Sequence, residues 1–196
     1  MRKLIRKLSD MRGISGFEYR LTDQIADMFK KYCDDVKIDS LGSVIAVKRS
    51  NKPNAPKLMI EAHCDEIGLI VTSITDEGYL TFANVGGVDE RTLPSTEVTV
   101  HGKEDLWGVI GIKPNYLLEQ GKTAKLKELA VDTGLSAEKV KELVAVGDSI
   151  TLAQSVGRLG KKQFSGKSLD DRASVAAIMR VMKNIKDLDI DIDVYA

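Results

Sequence analysis

What the chain is short of narrows its options first. Its two cysteines, Cys33 and Cys64, are too few for a disulfide framework, which points to a reducing, cytoplasmic setting. Its two histidines, His63 and His101, are the whole supply of imidazole. Charge of one sign is missing as well: 29 Lys and Arg balance 29 Asp and Glu. The chain therefore carries no electrostatic footprint for nucleic acid and no polybasic patch for a membrane. No apolar run approaches the length that spans a bilayer. The N-terminus, Met1 to Leu8, is basic and amphipathic and lacks the continuous apolar stretch of a signal peptide. Gly86-Gly87 is not followed by Gly-Lys-Ser or Gly-Lys-Thr, so it is no phosphate loop, and no Gly-x-Ser-x-Gly elbow is present. What remains is 196 residues, 43% of them hydrophobic, enough for the core of one full domain or two small ones.

Two stretches stand out. Lys57-Leu58-Met59-Ile60 reads as a short buried strand, and Glu61, His63, Asp65 and Glu66 crowd its end. Unpaired charge is costly away from water, and a metal would compensate it. About a hundred residues on, Gly166-Lys167-Ser168-Leu169-Asp170-Asp171-Arg172 sets adjacent carboxylates ahead of an apolar helix.

Between and around them the texture changes. Leu4, Ile5, Leu8 and Met11 recur at helical spacing. Ser15 and Glu18 are spaced as a capping box for a second helix carrying Leu21, Ile25, Phe29 and Tyr32. Strands are expected at 37–39 and 43–48 around Leu41-Gly42. Residues 1–68 thus form the first α/β segment. From 69 to 161 short β-like runs appear at 69–75, 79–83, 97–100, 107–112 and 149–152, with one helix capped by Ser136. This reads as an inserted β-rich module. From 162 to 196 the α/β texture returns, with a helix over 173–185 and a strand beginning near Ile190, whose edge would be open and sticky.

The chemistry of these residues can be read in two ways. An imidazole is a good zinc or cobalt ligand, and a carboxylate two residues on can hold its other N–H; a bare His-x-Asp is equally a surface histidine beside turn carboxylates. Glu66 either supports that site or is simply solvated. Asp170 can bridge metals, or cap a helix N-terminus. Arg172 reads as a carboxylate's partner. Cys64 reads as a buried, inert thiol and His101 as an exposed loop residue.

Five stretches in order change the balance: Ala62-His63-Cys64-Asp65-Glu66-Ile67-Gly68, Val85-Gly86-Gly87, Gly108 to Pro114, Val146-Gly147-Asp148 and Phe164 to Ala173. Together they resemble the cytosolic tetrahedral and glutamyl aminopeptidase family of dinuclear-metal enzymes. The resemblance implies a mixed-sheet α/β metallopeptidase domain with an inserted, β-rich, PDZ-like domain that builds a homo-oligomer, from dimer to dodecamer. It implies His63 and Asp170 as metal ligands, Asp65 as the residue that orients the histidine, and a cis peptide between Asp170 and Asp171. It implies two divalent ions (zinc or cobalt, with manganese open) and hydrolysis of the N-terminal residue from peptide substrates. Cys64, Val88, Tyr116 and Ser174 depart from the family pattern.

The family's general-base glutamate and remaining ligands come after the strand near Ile190. The chain is therefore expected to be an N-terminal portion with about half of the metal site, inactive by itself. A catalytically inactive fragment or assembly subunit acting through its β module is one alternative. A related hydrolase of acylated sugars or amides is another.

Overall fold

The computed structural model describes residues 1–112 and 125–196. Lys113, Pro114 and Tyr116, singled out above, lie outside the described residues. The first elements are α1 (Arg2–Asp10), α2 (Tyr19–Phe29), β1 (Asp35–Ile38), β2 (Val44–Lys48) and β3 (Lys57–Met59). Next come β4 (Gly68–Ile74), β5 (Leu80–Val85), β6 (Glu97–His101), β7 (Asp105–Ile112), β8 (Leu129–Asp132), α3 (Ala137–Leu143) and β9 (Ser149–Leu152). The chain then runs through β10 (Gly157–Leu159), β11 (Gln163–Ser165), α4 (Leu169–Ile185) and β12 (Asp193–Tyr195). It divides into two compact units, residues 1–65 with 155–196, and residues 66–154.

The first unit is a mixed α/β layer. Its sheet runs β1-β2-β12-β3, with β12 antiparallel to β2 and parallel to β3. The amphipathic stripes of the helices meet here: Leu8, Leu21, Ile25, Phe29, Met179 and Met182 share one core with Val194 of the sheet. The β1–β2 hairpin turns at Gly42, whose φ of 88° suits a residue without Cβ.

Three expectations fail in this unit, each for a physical reason. β3 is exposed along its length, with Leu58 at 46% and Met59 at 71% exposure, because it is the end strand of the sheet. An apolar run alone does not distinguish an edge from a centre. β12, conversely, lies inside the sheet, whose end strands among the described residues are β1 and β3 and not the strand near Ile190. The capping box at Ser15 does not form: the helix starts after Glu18 and takes no side-chain cap.

The second unit is a closed barrel in the order β4-β5-β8-β7-β6-β9. Closure leaves no ladder edge open, which suits short strands. Its interior is lined by Leu69, Val71, Leu80, Val98, Ile110 and Ile150, none more than 1% exposed. Ser136 caps α3, its hydroxyl accepting from the Lys139 N–H at 3.4 Å. β8 went unforeseen, since Leu129-Ala130-Val131-Asp132 is short and half its alternation is a small residue. His101 is not an exposed loop residue. It ends β6, is 3% exposed, and lies 2.6 Å from Asp105 Oδ1 and 2.9 Å from Thr151 Oγ1. Its partners satisfy both ring nitrogens, which is what allows burial. Among the described residues no helix is long and apolar enough to cross a membrane.

Gly102 follows β6, and a Cβ there would stand 2.3 Å from the Leu143 carbonyl oxygen. Gly102→Ala is expected to destabilise the barrel by about 1–3 kcal/mol. Thermal unfolding measures this, with Gly87→Ala, where an added Cβ meets nothing within 4 Å, as the comparison that should hardly shift.

Candidate metal centre

The site is assembled in the first unit from two distant segments. After β3 the chain leaves the sheet and runs without regular structure through 61–65. This frees His63 to project, and its side chain is 57% exposed. His63 Nδ1 lies 2.8 Å from Asp65 Oδ1, and Nε2 lies 3.2 Å from Asp170 Oδ1. Asp65 in turn accepts a hydrogen bond from Ser15 Oγ through Oδ2. The hydroxyl expected to cap α2 thus braces the carboxylate instead. The sequence marked Ser15 only as a cap, and nothing local announced Asp65 as its partner.

Asp170 arrives from the start of α4. Asp170 (φ −90°, ψ 106°) and Asp171 (φ −120°, ψ 27°) are not helical, and the peptide bond between them is cis, as the resemblance implies. Regular helix begins at Arg172, one residue before the expected start. Asp170 is directed at His63, with 96% of its side chain exposed. Its carboxylate serves the imidazole rather than the helix N-terminus.

Arg172 holds the two segments together. It is fully buried, and its guanidinium donates to the carbonyls of Cys64 (2.7 Å), Leu8 (3.0 Å), Ser9 (3.4 Å), Gly13 (3.3 Å) and Met11. Several of these carbonyls close the C-terminus of α1, where helix acceptors lack partners and the dipole favours a cation. Reading Arg172 as a carboxylate's partner missed this main-chain role, because sequence does not reveal which carbonyls converge. Glu66 is buried, not solvated.

The electrostatics follow from these contacts. Burial pulls the His63 pKa down, but the hydrogen bonds and charges of Asp65 and Asp170 outweigh it, and the net shift is upward. Burial pushes Asp65 up, yet hydrogen bonds from Ser15 and His63 bring it below its ordinary value. If Asp65 accepts the Nδ1–H, neutral His63 turns an Nε2 lone pair towards a carboxylate oxygen. Two acceptors so close require a cation between them, either a proton or a metal. A spacing of 3.2 Å suits two ligands of one ion, whose bonds run about 2.0–2.2 Å. The donor set therefore fits a divalent metal, with His63 and Asp170 as the groups able to hold it. Among the described residues no group of three or more His, Cys, Asp or Glu side chains is placed to hold a metal ion together. A cavity of about 780 Å³ adjoins the pair, with Glu18, Glu61 and Asp65 on its wall beside Leu58 and Met59.

A mixed α/β unit interrupted by a β-barrel, with a histidine braced by one aspartate and facing another, defines a narrow class. Residues 42–196 match the model of the M42 glutamyl aminopeptidase family, and the chain belongs to that family. It is 33% identical to the lysyl aminopeptidase of Pyrococcus furiosus, over 99% of this chain and 58% of that one. The structure superposes on the aminopeptidase APDkam598 from the archaeon Desulfurococcus kamchatkensis with a TM-score of 0.90, at 36% identity over 98% of this chain and 54% of the other. It superposes on the Pyrococcus horikoshii TET1 peptidase, which can assemble into a tetrahedron or a large octahedral shell, with a TM-score of 0.87 at 34% identity, covering 99% and 59%. The chain spans about half the length of the curated relatives it matches.

Arg172→Leu should destabilise the protein by about 3 kcal/mol or more, since it strands buried carbonyls. Arg172→Lys should recover only part of that, because an ammonium lacks the planar fork; denaturant unfolding measures both. The cysteines give a second expectation. Burial, aided by Asp34, pushes the Cys33 thiol up to about 11. Burial also raises Cys64, although Arg172 opposes it. At pH 8 Cys33 should alkylate on the order of a hundredfold more slowly than a free thiol, and the rate should climb steadily towards pH 11.

Proposed function

We propose that the protein acts as a metal-dependent aminopeptidase, with His63 and Asp170 as metal ligands and Asp65 as the positioning residue for the histidine. The observation that carries this reading is the Nε2 of His63 set 3.2 Å from Asp170 Oδ1 while Nδ1 is held by Asp65. Membership of a peptidase family supports it. Two divalent ions, zinc, cobalt or manganese, would supply the Lewis-acid chemistry for amide hydrolysis. Asp65 fixes the imidazole tautomer so that Nε2 offers its lone pair, and Ser15 fixes Asp65 in turn. Arg172 sets the approach of Asp170 by anchoring the first regular turn of α4. The substrate would be the N-terminal residue of a peptide, entering along the adjoining cavity. The assembly would be a homo-oligomer built through residues 69–161, the inserted PDZ-like domain, in a cytoplasmic setting; the shells formed by the Pyrococcus horikoshii relative support this reading.

The test pairs metal analysis with hydrolysis of aminoacyl anilides. In the full-length protein, His63→Ala and Asp170→Ala are each expected to abolish turnover and to reduce tightly bound metal. Most of the activity surviving in either variant overturns the site. Asp65→Asn should weaken metal affinity by about 10–100-fold, read by competition with a chelating dye independently of turnover. An unchanged affinity would remove Asp65 from its role.

A further inference from the structure

The segment between α1 and α2 touches both arms of the metal centre. Met11 and Gly13 lend their carbonyls to Arg172, the residue that follows the Asp170–Asp171 pair; the Gly13 bond measures 3.3 Å. The Met11 carbonyl also accepts from Lys167 Nζ at 3.0 Å, shortly before Asp170 in the chain. Just beyond Gly13, Ser15 Oγ donates to Asp65 Oδ2, while Asp65 Oδ1 lies 2.8 Å from His63 Nδ1. Residues 11–15 thus grip the arm that carries Asp170 and the arm that carries His63.

The segment is built for a fixed shape. Phe17 N–H donates to the Ile14 carbonyl at 2.8 Å and closes a tight turn. Gly16 takes its third position with φ of 87°, which a type II turn demands and an L side chain resists. Ile14 is fully buried, and a Cβ on Gly13 would run into the Leu21 side chain of α2. Ser15 stands exposed at the second position of this anchored turn, and its hydroxyl goes to Asp65.

We propose that Ser15 is a positioning residue of the metal centre, presented by this turn and acting through Asp65. The proposal rests on the reading of His63 and Asp170 as metal ligands. The terminal torsion of an aspartate is broad, so an unbraced carboxylate turns easily. With Oδ2 held by Ser15, Oδ1 stays on the Nδ1–H of His63, and Nε2 keeps its lone pair facing Asp170. The same turn anchors Arg172 and Lys167, so the orientation of one ligand is tied to the placement of the other. A site whose ligands are ordered beforehand loses less freedom when an ion arrives.

Zinc affinity of the full-length protein, read by competition with a chelating dye, tests this. Ser15→Ala should raise the dissociation constant about tenfold, the loss of one hydrogen bond to a charged group. Ser15→Thr keeps the hydroxyl and should recover most of it. Adding Ser15→Ala to Asp65→Ala should change nothing further, because the serine acts only through that carboxylate. Gly16→Ala should weaken binding by no more than Ser15→Ala does, and Gly16→Asn, which tolerates positive φ, should bind more tightly than Gly16→Ala. Thermal melts of the metal-free variants, close to that of the unaltered protein, separate positioning from folding. Unchanged affinity in Ser15→Ala, or a double variant weaker than Asp65→Ala, overturns the proposal. The metal centre itself still stands if His63→Ala loses zinc in the same assay. Zinc retained by His63→Ala overturns both.

Discussion

A fully buried guanidinium has to be matched almost atom for atom, and Arg172 is the residue on which the first unit depends for this. Removing such a charge from water costs several kcal/mol unless hydrogen bonds replace the lost hydration. The main chain provides them: carbonyls from the end of α1, from Gly13 and from Cys64 converge on it. The charge sits at the negative end of the α1 dipole, where it is favoured. Three segments far apart in sequence are thereby fixed to one rigid planar group. Cys64 neighbours His63, and Arg172 follows the Asp170–Asp171 pair. The catalytic candidates are the exposed outer ends of elements whose inner ends are held by the same side chain.

This division of labour accounts for the exposure of the site. His63 and Asp170 are open to solvent, where unsupported side chains sample several rotamers. Their order comes from behind. Ser15 holds Asp65, Asp65 holds His63, and Arg172 holds the peptide that carries Cys64. A ligand can reach the front of the site while Arg172, at its back, stays fully buried.

Local pattern made some of this legible and not the rest. The helices over Leu4–Met11 and Leu21–Phe29, the hairpin at Gly42 and the cap at Ser136 follow from spacing and turn chemistry alone. His63 and Asp65 were legible as candidates because charged groups at a strand end call for compensation, whereas Asp170, set ahead of a helix, gained its metal reading from the family resemblance. The structure brings these three together. Ser15 and His101 were misread because each had a plausible local role, and only the fold shows that distant partners, Asp65 and Thr151, win. Burial of β3 was misjudged for the same reason: a strand's place in the sheet order is a property of its neighbours. Arg172 is the extreme case, since its partners are carbonyls that no residue identity announces.

The pairing of β4 with β9 has a consequence for the whole chain. Leu69 lies opposite Ile150, so the barrel closes its own entrance and exit against each other. His63 and Asp170 are separated by 107 positions, and a flexible linker of that length would add an entropic charge to every encounter between them. A barrel that has already closed presents its ends as a short bridge. By the logarithmic dependence of loop closure on length, shortening the effective loop about tenfold recovers about 2 kcal/mol. The insertion therefore behaves, for the unit it interrupts, like a tight turn of large mass. Its interior and outer surface are free to diverge for other purposes as long as those two strands keep their register.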